Sequence, residues 1–399
     1  MRTVEVDRKA QVLTGAEAVA HAMRQIDPDV VPVYPITPQT PIAEVFAQFV
    51  ADGRCDTEII NVESEHSAMS AAVGASLAGA RVMTATGSQG LALMLEIVYI
   101  AASLRAPIVI AIGSRALSGP INIHCDHSDS MAARDSGVVQ LFAENAQEAY
   151  DHIIIAQKLA ENVLLPVMVM QDGFTITHSA EPVALVDDQQ VRRFVGEHQP
   201  RAALLDVEHP TTQGAFAMPD YYFEHKLQQV EAIERVFELL PEIQHAYAGI
   251  SGRQYQGSFE AYALEDADRV VIVLGSTAGT AREAVDRLRR DGERVGVLKL
   301  RLFRPFPRAE IATALQGRTA VAILDRSLSF GSAGPLFLEV SSALYDLPQM
   351  PRLYNYTYGL GGRDITPEQI MAVFEELQDE TLASALGPEL NMRYIGSRE

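Results

Sequence analysis

The chain has 399 residues, 48% of them hydrophobic, which exceeds what one hydrophobic core ordinarily supports and predicts two domains. A formal charge of −20, with 28 Arg and only 4 Lys among the cations, argues against nucleic acid or an anionic membrane as the main partner and favours basic partners or a larger complex. Two cysteines, Cys55 and Cys125, can neither build a disulfide framework nor provide four thiolates for an iron–sulfur cluster, so any such cluster must lie on another chain.

Residues 1–8 lack the apolar centre of a signal peptide, and no apolar run is long enough to span a bilayer, so a reducing cytoplasm is expected. From Thr14 to about residue 180, helical periodicity alternates with short β-branched runs, the pattern of a parallel sheet covered on both faces. Thr14 with Glu17 forms a capping box for a helix reaching about Ile26. Val30 to Val33 reads as a strand, and the Pro-rich turn after it enters a helix that Thr40 could cap, with Pro41 in its first turn. Glu58 to Val62 is the next strand. Ser64 caps a helix rich in small residues, which Gly79 ends. Strands are predicted at Arg81–Ala85, Pro107–Ile112 and Leu165–Met170, and helices at Leu91–Leu104 and Ala146–Ala160.

The stretch 187–257 is less regular, with a helix predicted from Phe223 to Leu240, and the segment 249–258 is rich in Gly, Ser, Gln and Tyr. The domain boundary is placed there, giving units 1–258 and 259–399. The second unit opens with the strand Arg269–Leu274 and a Gly275–Thr280 turn into a helix ending near Gly292. Strands at Arg294–Leu300 and Ala320–Asp325 follow. The block Tyr358–Ile365 then precedes a helix started by Thr366, Pro367 and Gln369.

Three polar signals sit at the ends of predicted strands, where open parallel sheets place ligands. Glu65 stands in the first turn of a helix, whose dipole favours the anion while small apolar neighbours oppose ionisation; that balance suits sharing a proton with a heterocyclic nitrogen, although a plain helix-start acid looks the same. Arg115 follows an apolar strand, where its planar donors suit a substrate carboxylate or an ion pair with Asp126 or Asp129. Thr37 lies between Pro35 and Pro38, which restrict the backbone around its hydroxyl. The tetrad His124-Cys125-Asp126-His127 invites a metal reading, but four consecutive residues rarely converge on one ion, and no metal ligand is assigned. The Gly275–Thr280 turn lacks the Lys of a P-loop and is read first as a tight turn.

Taken together the blocks resemble the α subunit of the 2-oxoacid:ferredoxin oxidoreductases, the pyruvate:ferredoxin/flavodoxin oxidoreductase family. They are YPITPQTPIAE at 34–44, ESEHSA at 63–68, TGSQGLALM at 86–94, SRALSGPINI with DHSDSMAARDSG within 114–137, LPVMVMQDGF at 165–174, RLFRPFP at 301–307 and YGLGGRDIT at 358–366. The resemblance implies an α/β chain with a pyrimidine-side thiamine diphosphate-binding domain, followed by a domain like the transketolase C-terminal one. It implies an enzyme, active only as a multisubunit complex, that oxidatively decarboxylates a 2-oxoacid to an acyl-CoA and CO2.

The resemblance also distributes the parts. Thiamine diphosphate is shared with a β subunit, Mg2+ and [4Fe–4S] clusters sit on partner subunits, and coenzyme A is the co-substrate. Ferredoxin-like γ and δ subunits pass electrons to ferredoxin, flavodoxin or an NAD-reducing module, in a dimer of heteromers. Consistent with that division, the sequence has no Gly-Asp-Gly followed by paired asparagines. Glu65 matches the glutamate that hydrogen-bonds N1′ of the aminopyrimidine and promotes the ylide, Pro35 and Ile36 match cofactor-binding positions, and Thr37 and Arg115 match the residues holding the substrate's carbonyl and carboxylate. Pyruvate-type relatives often carry Trp-Asn where this chain has His124-Cys125, a departure that would suit a larger 2-oxoacid such as an arylglyoxylate. The competing expectations are a non-redox thiamine-dependent transferase or decarboxylase subunit, which would copurify without iron–sulfur absorbance, and a non-catalytic scaffold.

Overall fold

The computed structural model describes residues 10–383 and 391–398, so the signal-peptide reading of residues 1–8 lies outside the described residues. Its strands, in chain order, are β1 (Ala10–Thr14), β2 (Val30–Val33), β3 (Glu58–Asn61), β4 (Val82–Thr86), β5 (Ile108–Ser114), β6 (Val139–Phe142), β7 (Val167–Asp172), β8 (Ala180–Ala184), β9 (Phe259–Tyr262), β10 (Arg269–Leu274), β11 (Val295–Leu300), β12 (Leu302–Arg304), β13 (Ala320–Asp325), β14 (Arg352–Tyr358) and β15 (Met392–Ile395).

The first sheet runs β12-β6-β7-β5-β4-β2-β3 and is parallel except for β12. Strands β5 and β7 are buried along their whole length, which is why they read as continuous apolar runs without alternation. The chain passes from β2 to β3 on one side and then to β4 on the other, so strand order reverses between β2 and β4. A crevice at such a switch point, beyond the carboxyl ends of the strands, is where doubly wound sheets bind ligands.

The second sheet runs β15-β14-β13-β10-β11-β9, with only β9 antiparallel. Helices cover both sheets on both faces. One core lies between the first sheet and the helices Gly15–Ile26, Thr40–Ala51 and Ala146–Val163, and a core under Thr277–Arg290 and Pro367–Glu376 belongs to the second sheet. The third is shared: Met69 and Met94 of the first unit belong to the same cluster as Leu274, Phe303 and Leu336 of the second. The two units are also stitched by β12, which leaves the second unit to pair antiparallel with β6 of the first sheet, and β1 pairs with β8 as a separate antiparallel ribbon.

Several local expectations hold. The capping boxes at Thr14/Glu17 and Thr366/Gln369 are formed, Ser64 caps its helix by accepting from the Ser67 N–H, and Gly79 closes it in the left-handed region at φ 107°. Two need correction. Thr40 lies inside its helix, which starts behind Gln39 without a side-chain cap, because the Ile36–Thr40 turn already supplies a backbone acceptor through the Ile36 carbonyl. The helix expected from Phe223 to Leu240 is two, Pro219–Glu234 and Val236–Ser251; the first begins early because proline suits a first helical turn, and the second accommodates Pro241 inside it.

Candidate active site

Four neighbouring strands deliver the polar groups flagged in the sequence: β2 ends in the Pro35–Pro38 turn, β3 leads to Glu65, β4 ends at Thr86 and Gly87, and β5 ends at Ser114 and Arg115. Glycines let these ends crowd together. A Cβ at Gly87 would stand 2.2 Å from the Gly113 carbonyl oxygen, and one at Gly173 would stand 2.4 Å from the Ser114 carbonyl oxygen and 2.8 Å from the Pro38 ring.

Glu65 is the first residue of the helix Glu65–Ala78 and is only 7% exposed. Its carboxylate lies over Gly90 in the next helix, Ser88–Ser103, where an added Cβ would sit 2.7 Å from Glu65 Oε1 and 2.4 Å from Thr86 Oγ1. Among the described residues no donor reaches the Glu65 carboxylate, and the buried Thr86 hydroxyl also lacks a partner. A buried carboxylate and an orphan hydroxyl over a glycine floor form a cradle that fits a flat heterocycle whose ring nitrogen donates to the acid.

Arg115 and Thr37 come together. Arg115 Nη1 donates to the Thr37 carbonyl oxygen at 2.9 Å, and its Nε donates to the Asn122 carbonyl oxygen at 2.9 Å. The expected alternative, an ion pair with Asp126 or Asp129, is not formed. Asp129 Oδ2 instead accepts backbone N–H groups, from Arg115 at 3.0 Å and from Ser88 at 2.8 Å, and so fixes the ends of β5 and β4. Arg115 is 6% exposed with no carboxylate against its guanidinium among the described residues; burial lowers its pKa from the ordinary value, with the Asp129 charge opposing. A cation buried without a counter-ion favours an anion arriving from outside. The Thr37 side chain is exposed.

The tetrad after Arg115 splits. His124 packs against the Phe174 ring with centroids 4.9 Å apart, whereas His127 Nε2 lies 2.9 Å from Asp172 Oδ1. Asp172 ends β7 and is also held by the second unit: Ser276 donates from its N–H at 3.0 Å and its hydroxyl at 2.6 Å, and Arg326 Nη1 donates at 2.8 Å. Burial raises the Asp172 pKa, but the charges of His127 and Arg326 outweigh it and hold the carboxyl well below its usual range. The glycine turn at Gly275 therefore does cradle an anion, a protein carboxylate; a Cβ at Gly275 would stand 2.7 Å from Asp172 Oδ1. Cys125, His127 and Asp172 bring their ligand atoms together, yet Asp172 is committed to these donors and burial pushes the Cys125 thiol up.

A second buried charge cluster escaped sequence reading. Lys299 on β11 pairs with Glu144 at 2.8 Å and with Glu148, and Glu260 lies 3.4 Å away, so an ammonium occupies the centre of three acids. The only signal was a lysine in an otherwise apolar strand, in a chain with 4 lysines.

Fold and family matches together define a thiamine diphosphate-binding α/β chain of the 2-oxoacid oxidoreductase type. Residues 21–244 match the family described as pyruvate flavodoxin/ferredoxin oxidoreductase, thiamine diphosphate-binding, and residues 267–370 match pyruvate:ferredoxin oxidoreductase core domain II. Pyruvate synthase subunit PorA of Thermotoga maritima is 57% identical over 389 residues, covering 97% of this chain and 98% of that protein. Ketoisovalerate oxidoreductase subunit VorA of Pyrococcus horikoshii is 40% identical over 385 residues, covering 96% and 98%.

Among solved structures, a 2-oxoglutarate:ferredoxin oxidoreductase from Magnetococcus marinus, with 2-oxoglutarate, coenzyme A and succinyl-CoA bound, superposes with a TM-score of 0.73 at 20% identity. That match covers 93% of this chain and 66% of the other. A split-gene transketolase, an inactive β4 tetramer, superposes at 0.54 with 15% identity over 92% and 98% of the two chains; both likenesses concern the fold. The chain belongs to the α subunits of the 2-oxoacid:ferredoxin oxidoreductases. Among the described residues no helix is long and apolar enough to cross a membrane.

Proposed function

We propose that this chain is the α subunit of a pyruvate:acceptor oxidoreductase, forming acetyl-CoA and CO2 and passing electrons through iron–sulfur clusters on partner subunits to ferredoxin. Residues 1–258 form the pyrimidine-side unit and 259–399 the transketolase C-terminal-like unit. The observation that carries this reading is the presence of an unpartnered buried carboxylate, Glu65, and an unpaired buried cation, Arg115, at the carboxyl end of the same sheet, after β3 and β5 on either side of β4 and β2.

Thiamine diphosphate would supply the carbanion chemistry. Glu65 would accept a hydrogen bond from the pyrimidine ring and hold proton balance there, and Pro35 and Ile36 would line the cofactor. Arg115 binds the substrate carboxylate, and the Thr37 turn sets the carbonyl beside it. Loss of CO2 removes the charge Arg115 was holding, so its grip on the ground state must stay moderate.

The diphosphate with its Mg2+, and the clusters, belong to β, γ and δ partners, coenzyme A entering as co-substrate. Large apolar side chains stand in solvent on the segment 204–223, with Val207 88% and Phe216 92% exposed, and Leu93, Tyr99 and Ile100 are exposed on the helix beside Glu65. Such surfaces suit a chain that functions only in an assembly, here in the cytoplasm. Pyruvate is preferred because Cys125, half of the departure from the pyruvate pattern, is wholly buried and faces Arg326 and Asp172, and because the 57% identical relative is a pyruvate synthase subunit. The second reading, a larger or aromatic 2-oxoacid, is favoured by the exposed imidazole of His124.

The test is a panel of pyruvate, 2-oxoisovalerate, 2-oxoglutarate and phenylglyoxylate on the native complex, with reduction of ferredoxin, flavodoxin and NAD followed separately. The highest kcat/KM with pyruvate and ferredoxin supports the proposal, and the highest with phenylglyoxylate replaces it by the second reading. Turnover with no acceptor reduced would return the chain to non-redox thiamine chemistry.

A further inference from the structure

We infer that Asn122 is a positioning residue for substrate binding, the link through which the glycine turn of the second unit sets the orientation of the Arg115 guanidinium. The inference rests on the assignment of Arg115 to the substrate carboxylate.

Arg115 has two acceptors among the described residues, the carbonyls of Thr37 and Asn122, and these two fix the plane of its fork. The Thr37 carbonyl belongs to a turn braced by prolines. The Asn122 carbonyl belongs to a loop in which Ile121 and Ile123 are exposed, and which borders a cavity of about 730 Å3 between the two units. Close packing therefore does not hold it on that side.

Hydrogen bonds hold it instead. Ala116 N–H donates to the His124 carbonyl at 3.0 Å and closes the loop. Asn122 Oδ1 accepts from the His124 N–H at 2.7 Å, and Asn122 Nδ2 donates to the Gly361 carbonyl at 3.0 Å. One residue along, Gly362 N–H donates to the Cys125 carbonyl at 2.6 Å. Both glycines are required by space and backbone: Gly361 has φ +60° and a Cβ there would meet Asn122 Nδ2 at 2.4 Å, while at Gly362, φ +81°, it would meet His124 Cβ at 2.4 Å. The amide of one side chain thus joins the second unit to the carbonyl that orients the arginine, and a shift of that carbonyl tilts the fork offered to the substrate.

The experiment measures KM and kcat for pyruvate, and the half-saturating thiamine diphosphate concentration, in assembled complexes carrying Asn122→Ala, Asn122→Asp, Arg115→Ala and the double variant R115A/N122A. Asn122→Asp keeps the oxygen that caps His124 and loses the donor to Gly361, so it carries the same test should N122A fail to assemble. The expected result is a KM for pyruvate raised about tenfold by either Asn122 variant, with kcat changed less than about twofold and cofactor saturation unmoved. The double variant is expected to be no worse than Arg115→Ala. An unchanged KM in both Asn122 variants, or effects of Asn122 and Arg115 that multiply, would overturn the proposal while leaving the Arg115 assignment standing. An unchanged KM in Arg115→Ala would end that assignment and this proposal with it.

Discussion

The Nη1 of Arg115 lies 2.9 Å from the carbonyl oxygen of Thr37, so the end of β5 is tied across β4 to the turn after β2, and a buried cation is aimed by backbone oxygens alone. Carbonyl dipoles orient a guanidinium without neutralising it, which leaves its charge available to a ligand. An ion pair with Asp129 would have spent that charge inside the protein; the acid binds the Arg115 backbone N–H instead.

Arg115→Ala is therefore expected to raise KM for pyruvate about 30-fold, the equivalent of roughly 2 kcal/mol for a lost charge-assisted bond. Arg115→Lys should restore only part of this, because a point ammonium cannot serve two fixed carbonyls and a carboxylate as a planar fork does. Steady-state kinetics of the assembled complexes decide it. Unchanged KM and kcat would retire the assignment.

Glu65→Gln keeps the size and shape of the side chain and removes the charge that a ring nitrogen would meet. Since acid–base support of this kind is worth about 10²–10⁴ in rate, kcat should fall by at least about 100-fold while the complex assembles normally. Turnover near the wild-type rate, at saturating thiamine diphosphate, would show that the carboxylate does no proton work.

Gly90→Ala separates helix propensity from site geometry. In an ordinary helix the added methyl stabilises by up to about 1 kcal/mol. Here its Cβ would press on Glu65 Oε1 and on Thr86 Oγ1, so the carboxylate must move. Activity is expected to drop at least about tenfold, with the melting temperature held within a few degrees. A large fall in melting temperature with retained activity would mean that the backbone yields and the acid does not.

Much of this site was legible in the sequence because it depends on local chemistry. Ser64 before Glu65 places the acid in a first helical turn, and an apolar run ending in Ser114 places Arg115 at a strand terminus; both follow from spacing alone. What could not be read were the partners of long-range polar groups. Asp172 and Ser276 lie 104 residues apart, and Glu148 and Lys299 lie 151 apart, and no periodicity in either segment points to the other. β12 was hidden for a related reason: three residues in the Arg301–Pro307 block pair with a strand of the other unit, against the rule that neighbours in sequence pair first. The single helix expected over 223–240 failed because apolar periodicity continues across Arg235 although the helix does not.

Asp172→Ala should cost stability more than it costs activity. It removes the acid shared by His127, Ser276 and Arg326 and strands a 6%-exposed guanidinium between the two units. Breaking a buried pair from one side costs about 3–5 kcal/mol, whereas Ser276→Ala, which removes one hydroxyl donor, should cost about 1 kcal/mol. Denaturant unfolding of the complex compares them. Equal, small effects would mean that the junction tolerates an uncompensated charge.

Asp129 gives the site a pH signature. Burial is the largest influence on it and pushes its pKa from 3.8 up to about 6, against the backbone N–H groups of Arg115, Ser88 and Ser130, which favour the anion. The folded protein thus holds this proton more tightly than the unfolded chain does. The stability contributed is fully present below about pH 4 and is lost as pH rises through about 6, a change of roughly 3 kcal/mol across that window. Ionisation is nonetheless what the geometry requires, since Asp129 Oδ2 accepts from both Ser88 and Arg115 and Oδ1 accepts from Ser130. Asp129→Asn should remove this part of the pH dependence between 4 and 6, seen as a difference between wild-type and variant melting curves that disappears at the acid end. The same variant should be less active than the wild type above pH 6, where the wild-type acid is ionised, because an amide nitrogen must face either the Ser130 N–H or the N–H pair of Ser88 and Arg115. Parallel pH profiles for the two proteins would show that Asp129 does not titrate in this range and that the anion is present throughout.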